Sequence, residues 1–182
     1  MALILRGNGV VEGLTDLPAG SVTAADLASG AITSAALPAG SILQVVSNTI
    51  HSTISTTSTD VVATNHTVTL TPSSTSSKVL LMIHGGNCWS SDSSYGGMLL
   101  RFYRSINGGS YTALGENWHG FRENLTGGAV TKGSIGASYL DSPSSTSALT
   151  YQAYFKRNSD AGTAYYNEAT LGITITAMEV AG

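Results

Sequence analysis

The chain has 182 residues, of which 42% are hydrophobic and only 10% charged, and its 8 Lys and Arg against 11 Asp and Glu give a formal net charge of −3. No window clusters Lys and Arg, which argues against a phosphate-neutralising nucleic-acid surface, and no stretch approaches the roughly 20 apolar residues of a membrane span. Eight Tyr, two Trp and three Phe exceed what a disordered Ser/Thr tract carries, and a single cysteine, Cys88, excludes an intrachain disulfide or a cysteine-rich zinc cluster.

Residues 1–13 read as an amino-terminal arm carrying one apolar plug, Leu3, Ile4 and Leu5. Docked into a partner, such a plug is an anchor. Arg6 interrupts it before a signal-peptide apolar region develops, so the expectation is a chain made in a cytosol that, if it leaves, does so without a Sec-type signal.

Residues 14–40 contain a repeat. Leu17-Pro18-Ala19-Gly20 returns as Leu37-Pro38-Ala39-Gly40, and Val22, Thr23, Ala25 and Leu27 return as Ile32, Thr33, Ala35 and Leu37. A period of about ten residues is too short to close a core, so Val22, Leu27, Ile32 and Leu37 must bury themselves against other copies. The same segment of identical chains is the simplest partner, giving a slender homo-oligomeric stalk. Each copy fits either one helical turn capped by Thr23 or Thr33, or a short strand and turn; both choices need the neighbouring chain.

From Ser41 the pattern is β. Short apolar or alternating runs at Ile42–Ser47, Val61–Ala63, Val68–Thr71, Lys78–His84, Met98–Ser105, Tyr111–Leu114, Ile135–Leu140, Ala148–Lys156, Ala164–Asn167 and Leu171–Val180 are bounded by Gly, Pro, Asn and Ser. Asn107-Gly108-Gly109 supplies the positive φ of a hairpin turn. Many short strands without an amphipathic helix predict an all-β head over 41–182, an antiparallel β-sandwich or jelly roll. In the last run Ile173, Ile175, Ala177 and Glu179 share one face and Thr174, Thr176, Met178 and Val180 the other. Both faces are semi-apolar, which suits a strand covered by its own sandwich on one side and by a neighbouring chain on the other.

Chemistry-bearing motifs are sparse. His84-Gly85-Gly86 has the look of an oxyanion loop, but no Gly-x-Ser-x-Gly turn accompanies it. His51, His66, His84 and His119 lack the spacing of a shared metal site, and Glu116, Glu123, Asp141, Asp160, Glu168 and Glu179 form no motif for paired carboxylates. The expectation is no catalytic residue, no metal and no cofactor. Trp89, Tyr95, Trp118, His119 and Phe121 lie in Gly/Ser/Asn-rich segments read as connections between strands, where rings serve as platforms for sugars or a protein partner. The competing reading tucks them inward as satellite cores. Asn87–Gly97 and Gly115–Gly128 are the two segments expected to carry contacts, and Trp118, among Glu116, Asn117 and Gly120, fits the contact reading better than Trp89, which follows Cys88.

Pro38-Ala39-Gly40-Ser41-Ile42-Leu43-Gln44-Val45-Val46, Thr71-Pro72-Ser73-Ser74-Thr75-Ser76-Ser77-Lys78-Val79-Leu80, Ser138-Tyr139-Leu140-Asp141-Ser142-Pro143 and Ile175-Thr176-Ala177-Met178-Glu179-Val180 resemble a domain of tail fibres and other virion proteins of tailed bacteriophages, especially those of cyanobacteria and marine bacteria. The resemblance spans about residues 38–182, and the repeat is similar to the Gly-Ala-Ile-Thr-type stalk segments of such proteins. It implies a β-rich trimeric head on a trimeric stalk over 14–40, made in the host cytoplasm and located in a virion, with other tail or capsid proteins and a host-surface glycan or protein as partners. A capsid decoration protein and, more weakly, a carbohydrate-active spike enzyme are the alternatives.

Overall fold

The computed structural model describes residues 36–91, 95–115, 119–124, 132–158, 161–168 and 170–182, together with the backbone of 4–5 and 11–12; at 95 and 122–124 it describes the backbone alone. The chain divides into two units, Met1–Leu37 and Pro38–Gly182. In the first, β1 (Ile4–Leu5) pairs antiparallel with β2 (Val11–Glu12). Two of the three plug residues therefore sit on a strand. Leu3, and the repeat residues Val22, Leu27 and Ile32, lie outside the described residues, while Leu37 is 38% exposed.

The second unit is built from β3 (Ile42–Ile50), β4 (Ile54–Thr56), β5 (Val62–Leu70), β6 (Lys78–Ser90), β7 (Tyr95–Ile106), β8 (Thr112–Ala113), β9 (His119–Asn124), β10 (Lys132–Asp141), β11 (Leu149–Arg157), β12 (Ala164–Asn167) and β13 (Ile173–Val180). One sheet runs β3-β13-β6-β12-β4, with β10 on the other side of β6; the second runs β5-β11-β7-β8, with β9 also on β7. Leaving aside the short β4, β8 and β12, the orders β3-β13-β6-β10 and β5-β11-β7-β9 place first, last, third and sixth strands in one sheet and second, seventh, fourth and fifth in the other. That interleaving of two Greek keys is a jelly roll.

Alternation decides which side chains fill it. Val79, Leu81 and Ile83 of β6, Leu100 and Phe102 of β7, Tyr151 and Phe155 of β11, and Ile173, Ile175 and Ala177 of β13 are buried between the sheets. The terminal strand behaves as its pattern predicts, with Glu179 also inward and Met178 and Val180 outward. Elsewhere the sequence reading needs correction. The runs at Val61–Ala63 and Val68–Thr71 are a single strand, β5, and β4 and β9 were not foreseen. The strand beginning at Lys78 continues past His84 to Ser90, because Gly85 (φ 90°) and Gly86 (φ 70°) form an irregularity that shifts the inward phase. This is the structural use of the His84-Gly85-Gly86 motif: a Cβ on Gly85 would stand 2.7 Å from the Gly172 carbonyl oxygen.

Polar fasteners join the two sheets. Asp141, at the end of β10, accepts from Arg104 Nη1 on β7 at 2.7 and 2.8 Å and from the Tyr151 hydroxyl on β11 at 2.9 Å. His66 of β5 reaches across to β3 and β12. Its Nε2 lies 2.8 Å from the Asn48 carbonyl, which can only accept, so Nε2 carries the proton and Nδ1 accepts from the Tyr166 hydroxyl at 2.9 Å. Glu179 holds the turn after β5: its carboxylate accepts from Ser73 N at 2.6 Å, from Ser73 Oγ and Ser77 Oγ at 2.7 Å each, and from Gln44 Nε2 at 2.5 Å.

Candidate functional site

The sandwich has two distinct ends. Gly40 N donates to Ala181 O at 2.7 Å and Ala181 N to Ser41 O at 2.8 Å, so the chain enters and leaves the unit side by side. Lys78 pairs with Val180 at that end, and β6 runs from there to Ser90 at the opposite one. There, on the outer face of the six-stranded sheet, Trp89 is flanked by Lys132 of β10 and Tyr165 of β12, which oppose it from the two sides of β6.

The register makes a ladder of these three side chains. Trp89 stacks on Tyr165 with centroids 3.8 Å apart and planes 3° from parallel, and Lys132 Nζ sits 4.8 Å from the indole centroid, a cation over an electron-rich face. Ser55 of β4 opposes Tyr165 and ends the row with a small, exposed side chain. Lys132 also pairs with both oxygens of Glu168 at 3.1 Å, and Asn87 Nδ2 donates to Glu168 at 2.5 Å. The bonds from Lys132 and Asn87 hold the Glu168 carboxyl below its ordinary range, so it is an anion at neutral pH.

A buried amide fixes this end of the molecule. Asn167 donates through Nδ2 to Leu171 O at 2.8 Å and, at 3.4 Å, to Ile50 O and Ser52 O, while its Oδ1 accepts from Asn87 N at 3.2 Å. One side chain thereby ties the β3–β4 connection, the β12–β13 connection and β6 together. Among the described residues the buried Trp89 indole Nε1 meets no hydrogen-bond partner.

The sequence-selected residues separate under this geometry. Trp89 belongs to the cluster, though on a strand and half-buried rather than in a loop. Tyr95 opens β7 rather than lying between strands, and its side chain lies outside the described residues, as does all of Trp118. His119 and Phe121 are on β9, opposite Leu100 and Met98. They face inward: Phe121 packs against the core, and the His119 ring lies edge-on to Phe102 at 6.2 Å. Asn87 opens the expected contact segment Asn87–Gly97 and Glu168 is among the carboxylates without a motif, whereas Tyr165 and Lys132 are not among the residues the sequence singles out. The available signal was Tyr165-Tyr166 within a recognised strand, since adjacent rings there must point to opposite faces; Tyr166 is buried and Tyr165 is the outward one.

The cluster joins an aromatic pair with an ammonium, a carboxylate and an amide, equipment for stacking and hydrogen bonding. Among the described residues no group of three His, Cys, Asp or Glu lies together as a metal site, and no helix is long and apolar enough to cross a membrane.

No family model and no curated protein matches the chain in sequence. Among solved structures it is similar to a chain of infectious bursal disease virus, Gx strain, at 13% identity and a TM-score of 0.34 over 76% of this chain and 37% of that one. It is similar to the corresponding Gt-strain structure at 12% identity and a TM-score of 0.35, over 78% of this chain and 39% of that one. A chain of the T13 particle of the same virus gives 12% identity and a TM-score of 0.35, over 77% and 38%. The chain thus spans well under half the length of the chains it matches.

Proposed function

We propose that this chain is a structural protein of a bacteriophage virion: a short homotrimeric tail fibre or spike that anchors through its amino-terminal arm and presents a jelly-roll head for recognition of the host surface. The observation that carries the proposal is the polarity of the head. The chain enters at one end, and the Trp89–Tyr165 cluster, braced by Asn167, stands at the other. A module hung from a particle by its amino-terminal side presents its far end outward. The segments resembling phage fibre heads support the same reading, as does the strand order, an architecture shared by viral capsid and lectin domains. The role is binding and assembly, without catalysis.

Two measurements test it. Antibody raised against the full chain is expected to label the tails of intact particles; label on the capsid shell gives the decoration role instead, and unlabelled particles overturn the proposal. Tyr165→Ala, which removes the outward ring and leaves the buried Tyr166 in place, is expected to weaken attachment of the purified chain to host cells about tenfold, which is about 1.4 kcal/mol of affinity. Unchanged attachment would place recognition elsewhere on the head.

A further inference from the structure

The outer face of the six-stranded sheet carries a second feature at the entry end. Val45 of β3, Met178 of β13, Leu80 of β6 and Leu140 of β10 stand directly opposite one another, forming an apolar row across four strands. Ile42 and Val180 form a second, adjoining pair. Val45 is 55% exposed, Leu140 50% and Ile42 49%, the three highest values among the exposed large hydrophobic side chains of the described residues. At about 4.8 Å between strands the row is about 14 Å across. Hydroxyls border it: Ser47, Thr176 and Ser138 occupy the next row along with Met82. An apolar centre with a polar rim, hydroxyls on one flank and Lys78 on the other, is the anatomy of a subunit interface.

We infer that this face is the contact between heads of neighbouring copies of this chain, with Val45, Met178, Leu80 and Leu140 at its centre. The inference rests on the homotrimeric reading above and names the surface that reading leaves open. Two features select a second copy as the occupant. First, the row has no charge, so identical faces meet without repulsion; Lys78, opposite Val180, is the nearest cation of the adjoining row. Second, the chain before Pro38, which holds the decapeptide repeat, joins the sandwich at Gly40–Ser41, beside Ile42 and Val180. Chains held together by that repeat carry their apolar rows at high local concentration, and a strip too small to associate alone then associates intramolecularly.

The test is cysteine cross-linking of the full chain. Val45→Cys and Leu140→Cys are combined in one variant. The two positions lie about 14 Å apart, beyond the reach of an intrachain disulfide. The native thiol does not interfere, because Cys88 is buried and burial pushes it up to about 12. Mild oxidation is expected to convert most of this variant to covalent dimers and trimers, while Thr69→Cys/Leu99→Cys, on the outer face of the five-stranded sheet, stays monomeric in denaturing gels. A chain trimeric by light scattering that forms no such cross-links overturns the interface and leaves the trimeric fibre standing. A monomer at micromolar concentration removes both. A Val45→Lys/Leu140→Lys variant supplies the second readout, with an expected loss of at least tenfold in the resistance of the oligomer to dilution and an unchanged circular dichroism spectrum.

Discussion

At the scale of single residues, the titratable groups of the interior set the acid response. Burial holds His66 below its ordinary value of 6.5, outweighing the opposing bond to Asn48. The folded chain therefore resists a proton that the unfolded chain accepts, and stability declines as pH falls below 6.5 toward the folded value. Glu179 adds a second stage. Burial raises its affinity for a proton, but the bonds from Gln44, Ser73 and Ser77 prevail and hold it below 4.5, so its contribution is present above 4.5 and is lost as pH falls through the folded value. Urea unfolding at pH 8, 5.5 and 3.5 is expected to give successively lower midpoints, with the first drop absent in His66→Gln. The Asp141 fastener is probed separately. Asp141→Ala leaves Arg104, whose side chain is only 18% exposed, without its carboxylate and strands the Tyr151 hydroxyl. A loss of about 3 kcal/mol follows, on the order of 10 °C in Tm for a chain of this size. Trp89→Ala joins the two concerns of stability and recognition: the ring is half-buried between Tyr165 and Lys132, so about 2 kcal/mol of stability should go with it, while attachment to cells also falls.

At the scale of elements, β6 shows both what the sequence discloses and what it conceals. Its first half alternates cleanly, and Val79, Leu81 and Ile83 are legible as inward residues because the period is two. The second half was lost at Gly85-Gly86, where the phase slips: His84 and Asn87 both end on the outer side and Cys88 returns inward. Strict alternation ends at the slip, which leaves Trp89 beyond the legible part of the strand. The same reasoning explains β9, whose six residues interleave glycine, charge and two inward rings. The distal cluster was illegible for another reason. Lys132, Trp89, Tyr165 and Glu168 come from separate strands and a connection, and only the register of the finished sheet brings them together. The glycine irregularity is itself testable. Gly85→Ala forces a side chain into positive φ and against the Gly172 carbonyl, a cost of about 2 kcal/mol that should shift the urea midpoint without changing its slope.

At the scale of the whole molecule, the division at Leu37/Pro38 separates a unit with its own core from the segment that carries the decapeptide repeat. Pro38–Gly182 contains both sheets and every fastener described above, so a piece spanning those residues is expected to fold by itself and to melt cooperatively near the temperature of the full chain. Its association should be different. The apolar row on the six-stranded sheet covers a few side chains per head, far short of the roughly 800 Å² per partner of a standard stable interface. Without the repeat to raise the local concentration, the piece is expected to be monomeric at micromolar concentration by light scattering, and the full chain is expected to be trimeric. If the 38–182 piece stays trimeric, the heads associate by themselves and the repeat has some other task. If it fails to melt cooperatively, the sandwich draws on contacts from the first unit, and the boundary at Pro38 is misplaced as a folding boundary.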